Sequence, residues 1–339
     1  MKRTKYPAVT ILVVTLNNER TIETCLKAIQ NQEYPKKQIE YLNIDGGSTD
    51  RTVAILTRFG FKSIRSPILH NAEAQRGVGL KHAKHNLIVS LDADNYLPHK
   101  KWLRQMVEPF MDDPKIVHVH TLHYTYRPTD TLFNRYCALF GVADPIVFYV
   151  GRPDRLPQNV KSWNSGKILK ESVSYCTVEF TKDTLPTVGC NGVVYRRDLL
   201  LKYAQSDPMH FLHIDVFADL LVKGYNRYAI VNNDVIHDTA VSLSALMKKR
   251  IAFLSSYYLK PSIARRYLIY DPTKPVDRFK LMLFVFYTAT WIKPLFDGIV
   301  GFIAIPDVAW LLNPIVCWMY LYAYGITSIK RVLFLKNYE

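Results

Sequence analysis

The 339-residue sequence has no glycine-rich phosphate cradle. Neither Gly-x-Gly-x-x-Gly after the first apolar run nor Gly-x-x-x-x-Gly-Lys-Ser/Thr is present, which excludes the standard dinucleotide and P-loop sites. Cysteine is sparse. The five, at 25, 137, 176, 190 and 317, show no paired spacing, so neither a zinc site nor a disulfide framework is indicated, and a reducing, cytosolic-facing environment is expected. Acidic residues are also short: 29 Asp+Glu face 44 Lys+Arg, a net charge of +15 that calls for anionic partners such as acidic headgroups or phosphate-bearing substrates. No recognisable nucleic-acid motif accompanies that charge, so nucleic acid is not expected as a partner. With 49% hydrophobic and 22% charged residues, the chain is not disordered. The apolar run from 9 to 16 is short and has no small-residue cleavage site after it, so it reads as a first strand rather than a signal peptide.

Strand and helix patterns alternate from residue 9 to about 110. Strands are expected at 9–16, 39–44, 62–65 and 87–92, and helices at about 21–31, from 48 or 49 (with Ser48 or Thr49 as cap) to 59, and 72–84. This is the rhythm of a parallel, doubly wound α/β sheet, whose ligands sit at the carboxyl ends of the strands. Polar clusters fall at those ends: 15–19, 45–50 and 92–95. In extended chain Asp92 and Asp94 would lie on one side. Two carboxylates held close together repel unless a cation or a shared proton intervenes, and hard oxygen ligands suit Mg²⁺ or Mn²⁺. Such a cation, with Arg76 and later basic residues, could neutralise a nucleotide's phosphates without a glycine cradle. The period-two run Val117 to His123 reads as a strand; its histidines, such as His118 and His120, could bind metal, but the expectation is that they form the strand's polar face. Further strands and helices are expected at 229–236, from 214 to Gly224, and at 242–258, with an insertion-like stretch over 130–174.

Thr-Leu-Asn-Asn-Glu at 15–19, Ile-Asp-Gly-Gly-Ser-Thr-Asp-Arg-Thr at 44–52, Ala-Glu-Ala-Gln-Arg-Gly at 72–77 and Leu-Asp-Ala-Asp-Asn at 91–95 stand in the order and spacing of the family 2 glycosyltransferases of the GT-A fold. The resemblance covers residues 8 to 255. It implies a Rossmann-like, mostly parallel sheet flanked by helices, and transfer of a sugar, with inversion, from a UDP-, GDP- or dTDP-sugar. It also implies that Thr15, Asn17, Glu19 and Asp45 contact the nucleoside, and that Asp92, Ala93 and Asp94 form the metal-binding turn. The loop Gly189, Asn191, Gly192 would approach the sugar, and Asp215 would be the general base, with Asp219 as the competing candidate. His237 would join the metal or touch the diphosphate. Lys248, Lys249 and Arg250 would steady the leaving group or form a solvated patch facing a membrane. The sequence departs from the family at two points: Gly46 replaces the second aspartate of the second motif, and Ile214 replaces the glutamate usually found before the base.

Past residue 255 the composition shifts. Residues 281–305 are apolar except for Lys293 and Asp297, and 308–329 carry no formal charge, while basic residues flank both ends. Two membrane-spanning segments with both ends cytoplasmic, or helices lying in the interface, are the expectations, against a plain helical subdomain. The expected organisation is a catalytic domain over 1–258 (nucleotide-sugar half 1–117, acceptor half 118–258) and a membrane-associated region over 259–339. With the resemblance, this describes a metal-dependent transferase acting on a lipid-linked or saccharide acceptor at the cytoplasmic face of the cell membrane. A nucleotidyltransferase and a non-catalytic scaffold of the same fold are the rivals.

Overall fold

The computed structural model describes residues 6–238, 243–257 and 265–336. The chain folds in order as β1 (Val9–Thr15), α1 (Ile22–Gln30), β2 (Ile39–Asp45), α2 (Thr52–Arg58), β3 (Lys62–Arg65), α3 (Ala72–His82), β4 (Leu87–Asp92), β5 (Asn95–Tyr96), α4 (Trp102–Asp112) and β6 (Ile116–Tyr124). Then come α5 (Leu132–Phe140), α6 (Pro145–Tyr149), β7 (Lys167–Glu171), β8 (Tyr175–Glu179), β9 (Val193–Arg196), α7 (Arg197–Tyr203), α8 (His213–Val222) and β10 (Arg227–His237). α9 (Leu243–Tyr257), α10 (Pro275–Thr290), α11 (Ile292–Ala304) and α12 (Asn313–Lys336) close the chain. Two compact units result: Met1–Thr125 with Ser162–His237, and Tyr126–Lys161 with Asp238–Glu339. The boundary expected after residue 258 thus falls after 237, and much of the insertion-like stretch packs with the C-terminal helices.

The first unit is built on one sheet of strand order β3-β2-β1-β4-β9-β6-β10-β8-β7, with β5 paired to β10. β1, β2, β3 and β4 are mutually parallel, as the βαβ rhythm requires. The sheet as a whole is mixed, which corrects the mostly parallel expectation: β9 runs antiparallel to both β4 and β6, and β8 is antiparallel to β10 and β7. β9 runs the same way as β8, and the chain reverses just before β8, at the short connection over 172–174 that joins β7 and β8 as an antiparallel pair. β6 therefore points the same way as β4, and β10 is parallel to β6. The carboxyl ends of β1, β2, β4 and β10 and the amino end of β9 consequently share one edge. Beneath them lies a core containing Ile11, Val13, Leu26, Val89, Leu103 and Val194, with Trp102 buried at its centre. β1 is buried along its whole length because both of its neighbours are parallel strands and helices cover its faces.

Two local expectations change. His118 and His120 are not on a polar face: both are buried, against Tyr195, Phe217, Tyr228 and Trp163, since β6 is covered on both sides. Neither Ser48 nor Thr49 caps α2. The cap position is Arg51, which makes no side-chain cap bond; the Asp50 carboxylate before it accepts from the Thr52 amide at 3.0 Å, and Ser48 and Thr49 turn back to Asp45 and Asn17.

In the second unit α5, α6 and α9 to α12 pack around Tyr136, Phe140, Phe284, Trp310 and Tyr320. Among the described residues no single helix is long and apolar enough to cross a membrane. The run over 281–305 is broken: Trp291 takes a left-handed φ of 62°, and α10 and α11 meet at a 77° bend. The run over 308–329 is broken as well, since Asp307 caps a 3₁₀ turn at Val308–Leu312 before α12 begins.

Candidate active site

Each polar cluster at the shared sheet edge is fixed by its own turn. After β2, the Asp45 carboxylate accepts from the Gly47 and Ser48 amides, both at 2.9 Å, and from the hydroxyls of Ser48 and Thr15. Thr15 in turn accepts from Asn43 at 2.9 Å. After β1, Asn17 takes a left-handed φ of 54°, its amide donates to Ser48, and its side-chain oxygen accepts from the Thr49 amide. Glu19 is exposed and paired with Arg51 at 3.2 Å. These bonds lock the first two loops to one another, leaving a polar rim with Asp45 buried beneath it.

A side chain at position 46 would have to displace the Gln75 side chain. A Cβ there would stand 2.1 Å from the Gln75 side-chain nitrogen and 3.2 Å from the Thr15 carbonyl. Gln75, buried on α3, donates to that same carbonyl at 2.9 Å. The amide of Gln75 thus lies where a side chain at position 46 would begin.

β4 ends at Asp92, and the chain then turns through Ala93 and Asp94, with the Asn95 side chain accepting from the Asp92 amide at 2.9 Å. The turn gives the two carboxylates different partners. Asp92 is bound by Arg76, which is buried on α3. Asp94 lies 3.8 Å from the Nε2 of His237. The β5–β10 pairing, in which Asn95 stands opposite His237, creates that approach. Tyr124 packs against the His237 ring and receives a bond from the Asn191 side chain at 3.2 Å. Gly192, at the amino end of β9, has φ of 68°, and a Cβ there would meet Val235 at 2.8 Å. Its amide donates to the Ser90 carbonyl at 3.0 Å, which holds the 189–192 loop against β4.

Two residues that the sequence reading did not single out complete the site. Glu73 pairs with Arg76 at 3.0 Å, and its carboxylate also accepts from both the backbone amide and the Nδ1 of His213, each at 2.9 Å. Burial alone would raise the Glu73 carboxyl; His213 and Arg76 overcome it and hold the group down at about 2. Arg76, also buried, is held above its ordinary value by Asp92 and Glu73 against the opposing effect of burial. The one sequence signal for this network was the Glu73–Arg76 spacing of three on a helix. His213 opens α8, and Asp215 stands in the first turn, buried. Asp219, one turn on, accepts from the Gln205 amide.

Lys248 and Arg250 belong to the second unit. Lys248 and Lys249 are exposed on α9, whereas Arg250 is bound by Asp144 and the Tyr324 hydroxyl.

Among the described residues no group of three or more His, Cys, Asp or Glu side chains gathers as a metal site. The Asp94–His237 pair nonetheless fits a divalent cation, because a carboxylate and an imidazole leave the remaining positions to phosphate oxygens and water.

Residues 10–164 match glycosyl transferase family 2. The chain is 29% identical over 135 residues to the glycosyltransferase AglE of Haloferax volcanii, covering 38% of this chain and 44% of that protein. It is 28% identical over 124 residues to a dolichyl N-acetyl-α-D-glucosaminyl phosphate 3-β-D-2,3-diacetamido-2,3-dideoxy-β-D-glucuronosyltransferase of Methanococcus voltae, covering 33% and 37% of the two chains. The chain thus spans less than half the length of these curated relatives. Among solved structures, the mannosyltransferase PcManGT of Pyrobaculum calidifontis, in complex with GDP-Man and Mn²⁺, aligns over 97% of this chain and 88% of its own with a TM-score of 0.52 and 18% identity, a likeness of fold.

Proposed function

We propose that this chain, whose residues 10–164 match glycosyl transferase family 2, transfers a sugar from a nucleoside-diphosphate donor to a hydroxyl or phosphate of a lipid-linked acceptor, with inversion. The observation that carries this reading is the gathering of Asp45, Asp92, Asp94, Gly192 and His237 at one sheet edge, in a family-matched chain whose fold resembles a transferase holding a nucleotide sugar and Mn²⁺. The rim of Thr15, Asn17, Glu19 and Asp45 would receive the nucleoside. Asp94 and His237 would hold the cation. Mg²⁺ or Mn²⁺ bound there supplies positive charge to the diphosphate oxygens as the bond to the sugar breaks. Arg76, tied to Asp92, fixes that carboxylate at the end of β4. Asp215 takes the proton of the acceptor hydroxyl, whose oxygen bonds to the anomeric carbon while the electron pair of the breaking bond leaves with the diphosphate.

The acceptor class rests on the second unit. α11 turns Pro294, Gly298 and Gly301 inward and Phe296, Ile299, Phe302 and Ile303 outward, and α10 exposes Phe279, Met282 and Phe286. So large an exposed apolar surface, with Arg278 exposed beside it, suits helices lying in an anionic membrane interface. The M. voltae relative is named for a dolichyl-linked substrate, which favours a polyprenyl-phosphate carrier. Purified full chain, given UDP-, GDP- and dTDP-sugars with polyprenyl-phosphate acceptors in Mn²⁺ or Mg²⁺, should label the lipid. EDTA or Asp94→Ala should reduce transfer by about 10²-fold or more. Transfer that survives both treatments removes the cation from the mechanism, and failure with every donor and acceptor removes the transferase reading.

A further inference from the structure

We infer that Glu73 is a positioning residue for Asp215, tying the helix that carries the base to the donor side of the site; the inference rests on the transferase reading above. α8 begins without a side-chain cap of its own: its cap residue is Leu212, whose side chain offers no acceptor. The first amides of a helix need acceptors from outside it. Glu73, on α3, supplies one, accepting from the His213 amide at 2.9 Å. The same carboxylate accepts from the His213 ring, so α8 is fixed at its first residue by both backbone and side chain. Asp215 follows two residues later. The position before it, where the resembled family usually has a glutamate, is Ile214, buried and without a polar group. The carboxylate that fixes this turn therefore comes from another helix.

The other side of Glu73 meets Arg76, and Arg76 meets Asp92. A continuous line of side chains, Asp92–Arg76–Glu73–His213, thus runs from the carboxyl end of β4 to the first turn of α8. Glu73 and Arg76 are both about 5% exposed, so water competes little for these bonds. A negative charge at this end of α8 also suits its dipole. None of these residues needs to touch a substrate. Their contribution is to keep the base at a fixed distance from the bond that breaks at the diphosphate, a geometry in which a displacement of about 1 Å can cost roughly 10²-fold in rate.

The test uses the purified full chain with Glu73→Gln, which keeps the size of the side chain and removes its charge. The expected result is a fall in the transfer rate constant of about 30- to 100-fold, with the affinity for GDP or UDP in Mn²⁺, measured by calorimetry, held within about threefold. Amide hydrogen exchange over 213–217 should speed up by about tenfold or more with no substrate present. Glu73→Asp, which keeps the charge, should recover most of the rate, and it carries the test if Glu73→Gln does not fold. A rate within threefold of wild type, an equal loss of nucleotide affinity, or unchanged exchange over 213–217 would overturn the inference. A wild-type chain that binds nucleotide and transfers no sugar would remove the transferase reading instead. In that event the exchange comparison still decides whether Glu73 holds the first turn of α8.

Discussion

Both units have an apolar core, but they differ in where their polar groups and their remaining large apolar side chains lie. In the first, apolar residues fill the core and the charges collect at one sheet edge: Asp45, Asp92, Asp94 and His237 at strand ends, with Glu73 and Arg76 just behind them. In the second, polar groups point inward. Asn313, fully buried, bonds to Tyr136, Tyr149 and the Pro294 carbonyl, Asp307 is held by Tyr126 and Arg135, and Asp144 by Arg250 and Tyr324. Many large apolar side chains of α10 and α11, among them Phe279, Phe286, Phe296 and Ile303, face outward. A fold stabilised only by withdrawing hydrocarbon from water would place them the other way. The charges of the first unit suit the proposed chemistry on an anionic ligand, and the arrangement of the second suits the proposed surface that meets lipid.

The sharpest way to break this contrast is to neutralise the first unit's proposed base. Asp215→Asn should lower sugar transfer by about 10³-fold, within the range general-base catalysis contributes. Affinity for the nucleoside diphosphate, measured by calorimetry, should stay at the wild-type value, because Asp215 serves the acceptor. A retained rate would pass the role to Asp219, although that carboxylate already accepts from the Gln205 amide.

A smaller effect should follow acid. The Glu73 carboxyl sits at about 2, below its ordinary value near 4.5, because His213 and Arg76 outweigh its burial. A group depressed in the folded state contributes stability above its unfolded pKa and loses it as the pH falls through the folded one. The window therefore runs from about 4.5 down to about 2, and the depression corresponds to about 3 kcal/mol. Urea unfolding at about pH 7, 4 and 2.5 should show wild type losing stability of that order which Glu73→Gln does not lose. Parallel pH curves for the two proteins would show that the Glu73 charge is not held by its partners.

Much of the first unit could be read from residue order. The runs expected at 9–16, 39–44, 62–65, 87–92 and 229–236 fall on β1 to β4 and β10 within a residue or two, most plainly at β1 and β4, because buried parallel strands are short, apolar and bounded by polar turns. What periodicity cannot encode is pairing. β9 carries no signal that it will insert antiparallel between β4 and β6, and the partners of Asp92 and Asp94 depend on a turn that breaks the extended geometry assumed for them. Glu73 and His213 stand 140 residues apart, and only the tertiary fold makes them neighbours. In the second unit hydropathy was legible but helix breaks were not. The bend at Trp291 depends on a single left-handed residue; Pro306 and Asp307 mark an interruption between the two apolar runs, but not that Val308–Leu312 forms a 3₁₀ turn before α12.

The smallest expected effect, a change in partitioning onto lipid, tests the second unit by comparing two faces of one helix. On α10, Phe284 is fully buried and Phe286, two residues on, is 55% exposed. Phe284→Ala should cost about 3 to 5 kcal/mol of stability, the usual result of emptying an aromatic site in a packed core. Phe286→Ser should change stability by under about 0.5 kcal/mol, since little is buried there to lose. Sedimentation with vesicles of acidic lipid should reverse the ranking for Phe286. If its ring enters the bilayer, its removal forgoes about 1.5 kcal/mol or more of burial, a fall of about tenfold in partitioning. Ile303→Ser, at 75% exposure on α11, should act alike. Unchanged partitioning in both variants would mean that the outward face of α10 and α11 meets something other than lipid, and the acceptor would then have to be sought among soluble saccharides.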